Sequence, residues 1–414
     1  MVPTKKPKRA LVLSGGGARG AYEAGVIRYI LQVLPDALGA PPRFEIICGT
    51  SVGAINAAWL AATIDDPSRC ATELEHHWRR LVFSDIVRFS YRELWRIFRQ
   101  TVLEQKLSMP PRRPTDGREG GILQTSFFDD IIRREIPFPN IADNLDAGLL
   151  ESVSISATDI ITGRTTAFVQ SRSGVPPWTR DARRVAIGGP LTPEKVLASA
   201  AIPVLFPAVH IDNHWYSDGG LRQNTPISPA LRLGADRVLV VALKSRSFEE
   251  KIGPVVEAPP QKTSHPNHAF VLGKVLDALL LDPLDYDLDV LERINAILKH
   301  GKEAFGREEF LSELNEVLRT HRGQGYRIVD SLLIRPSHDL GEVAAEFAVE
   351  QPDDFWGSMP LRFIARRALA AEGAQESDLL SYLLFDGGYA GQLIDMGYRD
   401  AAERHDELVE FFSE

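Results

Sequence analysis

Residues 44–58 read FEIICGTSVGAINAA, a short apolar run followed by a glycine-flanked serine and an alanine-rich segment. The apolar run predicts a buried strand, and the alanines predict a helix over Ala54–Ile64. Between them, Gly49-Thr50-Ser51-Val52-Gly53 has the G-x-S-x-G pattern in the strand–turn–helix setting of a nucleophile elbow. Such a turn has no room for bulky neighbours. It exposes the Ser51 hydroxyl above the sheet and places the Val52 amide at a helix start.

A second glycine block, Gly15-Gly16-Gly17-Ala18-Arg19-Gly20, lies between a predicted strand and a helix predicted over Gly20–Leu34. It fits the dinucleotide-binding pattern G-x-G-x-x-G, but that fold needs an acid at the end of the second strand. Here the second strand ends in Cys48-Gly49-Thr50-Ser51. The amides of Gly16 and Gly17 could instead form an oxyanion hole at a helix start. We favour the oxyanion hole because it also uses the elbow serine, and a dinucleotide-binding protein using Gly15–Gly20 stays the alternative.

A carboxylate that could act as the base occurs in Asp218-Gly219-Gly220, where two glycines leave the acid unobstructed. Asp-Gly is also a common turn dipeptide, and Asp386-Gly387-Gly388 repeats the pattern after a helix-like run. We interpret Gly387 as a helix C-cap. A Ser–His–Asp triad is the competing arrangement, with His210 and His214 near Asp218 in sequence. Neither histidine lies in a motif-like setting.

The distribution of apolar runs predicts an α/β fold. Strands that are continuous apolar runs and alternate with helices are typical of a central, mainly parallel sheet with helices on both faces. Strands are predicted at Ala10–Ser14, Phe44–Cys48, Ser152–Thr158, Thr165–Val169, Arg237–Leu243 and Tyr326–Ile334. We divide the chain into a catalytic core (9–244), a proline-rich surface linker (245–268) and a C-terminal helical segment with one strand (269–414), packed on the core.

Composition excludes several classes of protein. The 414 residues are 44% apolar and 25% charged, which is ordinary for a soluble globular protein. A net charge of −9 argues against nucleic acid as a partner. Two cysteines and no Cys/His cluster predict no metal and a reducing, cytoplasmic setting. The apolar run after the basic start is too short for a signal peptide, and no run approaches the ~20 residues of a membrane span.

The segment 88–107 places aromatic and apolar residues on one predicted helical face, with arginines along its flank. Two interpretations stay open. The face could make a peripheral contact with anionic lipid, or it could pack on the protein core with its arginines in solvent.

Four blocks in order resemble the patatin-like phospholipase family: Gly15–Gly20, Gly49–Gly53, Ala198-Ser199-Ala200-Ala201-Ile202-Pro203 and Asp218–Gly220. Thr158-Asp159 with Thr162-Gly163-Arg164 is similar to a further family segment. The resemblance implies a three-layer α/β/α fold, a Ser–Asp dyad and no cofactor.

By position, the resemblance makes Ser51 the nucleophile, Asp218 the base, and Gly16, Gly17 and Arg19 part of the oxyanion block. It implies hydrolysis of acyl esters in lipids or phospholipids. A broad-specificity esterase, a thioesterase or an acyltransferase with the same dyad is the alternative, and a catalytically silent scaffold is a third class. A free carboxylate with a pKa near ~4 is a weak base, so burial and a direct Ser51–Asp218 hydrogen bond are needed to raise its basicity.

Overall fold

The computed structural model of the chain describes residues 6–83, 126–176, 178, 183–203, 205–245, 284–306, 309–322, 325–356 and 380–413. The predicted basic aromatic helix at 88–107 lies outside these residues, as does the predicted linker 245–268 apart from Ser245. No helix within these ranges is both long enough and apolar enough to cross a membrane.

One mixed sheet organises the described residues. Its strands are β1 (Arg9–Leu13), β2 (Ile46–Thr50), β3 (Ser152–Asp159), β4 (Thr165–Ser171), β5 (Arg184–Gly188), β6 (Val209–Ile211), β7 (His214–Asp218), β8 (Arg237–Val241) and β9 (Asp330–Ile334). The order is β5-β4-β3-β2-β1-β8-β9, and the β6–β7 hairpin joins through β7 to β3. The pairs β3–β2, β2–β1, β1–β8 and β8–β9 are all parallel.

Helices cover both faces of this sheet. They are α1 (Ala21–Gln32), α2 (Leu34–Leu38), α3 (Val52–Thr63), α4 (Pro67–Arg79), α5 (Ser126–Glu135), α6 (Asn140–Asp146), α7 (Pro193–Ser199), α8 (Ile227–Leu233), α9 (Leu284–Phe305), α10 (Phe310–Arg322), α11 (Leu340–Val349), α12 (Gly387–Glu403) and α13 (His405–Phe412). Side chains alternate along β1 as strand geometry requires. Leu11 and Leu13 pack with α1, α3 and α12, whereas Ala10 and Val12 pack with α8 and α9 on the opposite face. The predicted α/β/α layering is confirmed.

The C-terminal helices pack closely on the start of the chain. Helix α12 lies along α1, and the two backbones approach so closely that a Cβ at Gly25 would stand 2.0 Å from the Ile394 carbonyl oxygen. Arg9 of β1 donates to the Phe412 carbonyl at 2.8 Å. Arg237 of β8 donates to the Ser413 carbonyl at 2.6 Å. The carbonyls at the end of α13 have no donor within the helix, and arginines of the central strands donate to two of them, at Phe412 and the following Ser413.

Two sequence-based predictions about these elements need correction, and some strands were missed. Gly387 was interpreted as a C-cap, but it is the first residue of α12, and the Asp386 carboxylate caps that helix by accepting from the Gly388 amide at 2.8 Å. Strands β5, β6 and β7 were not predicted. The predicted strand Tyr326–Ile334 begins only at Asp330, because Asn315 binds the Tyr326 backbone on both sides and holds it outside the sheet.

Candidate active site

The sheet register brings the two predicted catalytic residues together. Thr50, the last residue of β2, pairs with Ser156 on β3. Asp218, the last residue of β7, pairs with Ala157, the next residue of the same strand. Ser51 and Asp218 thus leave the sheet side by side although 167 positions separate them, and the Ser51 Oγ donates a hydrogen bond to Asp218 Oδ2 at 2.7 Å.

Ser51 occupies a strained turn between β2 and α3, and it is buried, whereas the elbow motif predicted an exposed hydroxyl. Its φ of 55° and ψ of −123° lie where non-glycine residues are rare, and such strain persists only when the surroundings enforce it. The flanking glycines supply part of that enforcement, since a Cβ at Gly49 would stand 2.1 Å from the Gly53 carbonyl oxygen. A side-chain bond supplies another part, because the Ser51 amide donates to Ser199 Oγ at 2.9 Å and that hydroxyl donates to the Ser156 carbonyl at 2.6 Å.

Asp218 is completely buried, and burial raises the pKa of its carboxyl group to about 7, against the opposing effect of bonds from Ser51 and the Gly220 amide. The Gly220 amide donates to Oδ1 at 2.7 Å, so each carboxylate oxygen has one donor. Gly219 and Gly220 begin a short 3₁₀ turn. Thr158 Oγ1 donates to the Asp218 carbonyl at 2.9 Å, which fixes the backbone as well. The carboxylate is held in one orientation with a basicity far above that of an exposed aspartate.

The glycine block lies against this serine turn. A Cβ at Gly15 would stand 3.0 Å from the Ser51 Cβ, and one at Gly20 would clash with the Val52 side chain. Gly17 opens a 3₁₀ turn and Val52 opens α3. Backbone N–H groups at the first positions of a helix have no acceptor within it. The start of α3 follows Ser51 directly, and the 3₁₀ turn begins two residues after Gly15, which lies against the Ser51 side chain.

Arg19 points toward the C-terminal part of the chain. Its Nε donates to Ser381 Oγ at 2.7 Å, and its guanidinium lies 4.0 Å from the centre of the Tyr382 ring. The Tyr382 carbonyl in turn lies so close to Gly17 that a side chain there would clash. Residues 381 and 382 thus support the glycine block.

A buried polar cluster behind the glycine block was missed by the sequence analysis. Glu23 of α1 is fully buried, which raises its pKa well above the ordinary value, and it accepts from the Ser14 backbone. The Asn56 side-chain amide donates to Glu23 Oε2 at 2.8 Å and to the Gly20 carbonyl at 3.1 Å. Both ends of the glycine block are therefore tied to α3. A lone Glu within an apolar helical stretch was the available signal.

The histidines of the competing triad lie elsewhere. His214 Nδ1 is 2.9 Å from Asp159 Oδ2, and the His210 ring lies against Trp215. In the part of the chain that the structure describes, the hydrogen bonds of the Asp218 carboxylate go to Ser51 and Gly220. Over the same ranges, no group of three or more His, Cys, Asp or Glu side chains is placed to hold a metal ion.

An apolar cavity of about 80 Å³ lies against α3. Val52, Ile55 and Trp59 line it, and their spacing puts them on one face of α3. The part of α3 between Val52 and Trp59 rises by ~10 Å. Ile132 of α5 and Phe385 close the opposite wall.

Comparison with known proteins identifies related sequences. A family model described as patatin-like phospholipase matches residues 11–231. A cGAMP-activated phospholipase of Pseudomonas aeruginosa is 29% identical over 216 residues, which cover 52% of this chain and 53% of the relative. An NTE family protein of Mycobacterium tuberculosis is 25% identical over 261 residues, covering 63% of this chain and 55% of the relative. The chain spans about half the length of the curated relatives it matches.

Among solved structures, human GIVD cytosolic phospholipase A2 in complex with a fluorophosphonate inhibitor matches 98% of this chain and 59% of its own. The TM-score is 0.41 and the sequence identity is 13%.

Proposed function

Because the chain belongs to the patatin-like phospholipase family, we propose that it hydrolyses acyl esters of lipids, with Ser51 as nucleophile and Asp218 as base. The observation that carries the proposal is the 2.7 Å hydrogen bond from Ser51 Oγ to a fully buried carboxylate. A serine in an elbow turn, bonded directly to a carboxylate of raised basicity, has what nucleophilic catalysis requires.

In the proposed reaction, the Ser51 Oγ attacks the ester carbonyl carbon while its proton passes to Asp218. The negative charge that develops on the carbonyl oxygen is stabilised by amides of Gly16, Gly17 and Val52. The alcohol leaves with the proton from Asp218, and an acyl-enzyme remains. Water then attacks this ester, giving its proton to Asp218, and the carboxylic acid departs as Ser51 regains its proton.

The apolar cavity along α3 supports a lipid substrate. Val52, the residue after the proposed nucleophile, is one of its lining residues, so the cavity is a candidate place for part of an acyl chain. Apolar cavities of this kind bind chains by removing their surface from water. The names of the relatives, which include phospholipases, support a phospholipid ester as the substrate.

Labelling with a fluorophosphonate tests the proposal. We expect one covalent adduct, which peptide mass spectrometry places on Ser51, together with fatty-acid release from phospholipid dispersions. The adduct should block that release. Hydrolysis that continues after complete labelling, or an adduct on another serine, would contradict the assignment. Adding an alcohol acceptor separates hydrolysis from acyl transfer, since a transferase would form the new ester in preference to free acid.

The raised pKa of Asp218 predicts the pH dependence of the reaction. Only the ionised carboxylate accepts the serine proton, so kcat/KM for a soluble ester should rise from about pH 5 to about pH 8, with a midpoint near the Asp218 pKa of about 7. A rate independent of pH over this range would contradict Asp218 as the base. The variant Asp386→Asn should keep the wild-type profile, because that aspartate caps α12.

The same pKa shift has a consequence for stability. An unfolded aspartate titrates near ~3.9, so the folded state binds a proton at Asp218 between that pH and its folded pKa of about 7. This stabilisation is fully present at acid pH and is lost as the pH rises through 7. Between about pH 4 and about pH 7, the melting temperature of wild type should therefore fall relative to that of Asp218→Asn as the pH rises.

A further inference from the structure

The turn between β3 and β4 exposes two adjacent isoleucines. Ile160 is 50% exposed and Ile161 is 73% exposed. The turn belongs to the segment Thr158-Asp159 with Thr162-Gly163-Arg164 that the sequence analysis singled out and that the proposed reaction does not use. Single exposed apolar side chains are common on protein surfaces, so their position and rigidity decide whether this pair has a function.

The turn is rigid. Asp159 is nearly buried, and its Oδ1 accepts from the backbone amides of Ile161 at 2.9 Å and Thr162 at 3.1 Å. Its backbone closes the turn from both sides, accepting from the Gly163 amide at 2.8 Å and donating to the Arg164 carbonyl at 2.9 Å. The isoleucines are therefore held in solvent by a fixed scaffold.

The turn projects beyond the nucleophile at the same edge of the sheet. Strands β2 and β3 are parallel, and Thr50 at the end of β2 pairs with Ser156. Strand β3 continues for three more residues to Asp159, which is ~10 Å at the rise of a parallel strand. The Ile160 amide donates to the Trp215 carbonyl at 2.9 Å, so the turn also adjoins β7, the strand that delivers Asp218.

The surrounding residues suit a boundary between water and lipid. Trp215 is half-buried beside the turn, and such amphipathic rings favour that boundary. Arg164 is exposed at the turn, and the Arg222 guanidinium lies beside Gly163. Both arginines could reach lipid phosphates while their stems cover apolar surface. Asp212, on the neighbouring β6–β7 turn, is exposed and limits the preference for anionic lipid.

We propose that the turn Asp159–Arg164 anchors the protein on a phospholipid surface, with Ile160 and Ile161 entering the apolar layer beneath the headgroups. The inference rests on the proposed function, because it gives a lipid-cleaving site its access to aggregated substrate. Two side chains are far too few for a stable protein interface, which buries on the order of 1,000 Å². They are enough to add an apolar contact with the membrane to the contacts that the arginines and the tryptophan make with it.

The test compares the double variant Ile160→Ser/Ile161→Ser with wild type in flotation on phosphatidylcholine vesicles. We expect about tenfold weaker binding, because two exposed apolar anchors are lost. The loss should persist at high salt, since apolar contacts are not screened. Val349→Ser, which changes another exposed apolar residue (69% exposed) at the end of α11, should bind like wild type. Equal binding by the double variant and wild type would overturn the proposal.

Two further measurements separate this inference from the proposed function. The double variant should hydrolyse a soluble short-chain ester at the wild-type rate and vesicle phospholipid about tenfold more slowly, in line with its binding. A wild type without esterase activity would contradict the proposed function. The comparison of vesicle binding between wild type and the double variant would still test the anchor. The melting temperature and gel-filtration volume should not change. A lower melting temperature or a change in oligomeric state would show that protein covers the isoleucines, and would overturn the anchor.

Discussion

Replacing Ser51 by alanine is expected to lower the rate of ester hydrolysis by on the order of 10⁶, the loss seen when a serine protease loses its nucleophile. In the proposed reaction this hydroxyl forms the acyl-enzyme, so its loss removes the nucleophile. The Ser51 side chain adds little packing. The hydrogen bond from its backbone amide to the Ser199 hydroxyl does not involve the Ser51 hydroxyl, so the alanine variant keeps it. The measurement is initial rates on a soluble ester together with far-ultraviolet circular dichroism.

Ser154→Ala is the matched control for this variant. Ser154 is another fully buried serine, on the strand that aligns Ser51 with Asp218, and its hydroxyl has no hydrogen-bond partner among the described residues. Its loss should leave the rate within about twofold of wild type, because the Ser154 hydroxyl takes no part in the proposed reaction and holds no described group in place. A Ser51→Ala variant as active as the control would remove the proposed function.

Asp218→Asn is expected to reduce the rate by roughly 10⁴, the upper end of what a general base contributes. The amide keeps the size of the carboxylate and could still accept from the Gly220 amide, but it cannot take the Ser51 proton. Because Asp218 is buried beside the serine, the substitution changes the chemical role with little change in packing. Two measurements on the variant check whether Ser51 activation is lost: the rate of hydrolysis of the soluble ester and the rate of labelling by the fluorophosphonate.

Asp386→Asn tests whether the sequence pattern or the position matters, since both aspartates precede two glycines. Asp386 caps α12 through the Gly388 amide, and asparagine is an equally good cap. We therefore expect wild-type activity from it. If His214→Ala were instead as inactive as Asp218→Asn, a triad would replace the proposed pair.

The alternation of apolar runs and helices was sufficient to predict the layered fold, because strands buried on both faces have to be continuous apolar runs. The strand β5 escaped prediction for the same reason, since Arg184–Gly188 is only half-buried and lacks that signal. Gly387 was misinterpreted because Asp-Gly-Gly is compatible with a helix end and with a helix start. Here Gly387 packs against the Arg79 carbonyl and donates to the Leu81 carbonyl, contacts between distant parts of the chain that no local pattern contains.

The candidate site was predictable as a set of residues and not as a geometry. Local glycine patterns located Ser51, Asp218 and the amide block, because each pattern reflects a turn that only glycine permits. The pairing of Thr50 and Asp218 with consecutive residues of β3 depends on register between distant strands, which no local pattern contains. The contacts of Arg19 with Ser381 and Tyr382 and of Glu23 with Asn56 are equally non-local.

The support that Ser381 and Tyr382 give to the glycine block has a consequence for modularity. The family match ends at residue 231, yet Arg19 and Gly17 lie against residues about 150 positions beyond that limit. The segment that the family model matches is therefore not an autonomous unit: its glycine block is held by a part of the chain that the family model does not match. Relatives that differ in this later region could retain every motif residue and still differ in how firmly the loop is held. Sequence divergence outside the motifs thus provides a route for altering catalytic competence without touching a reacting group.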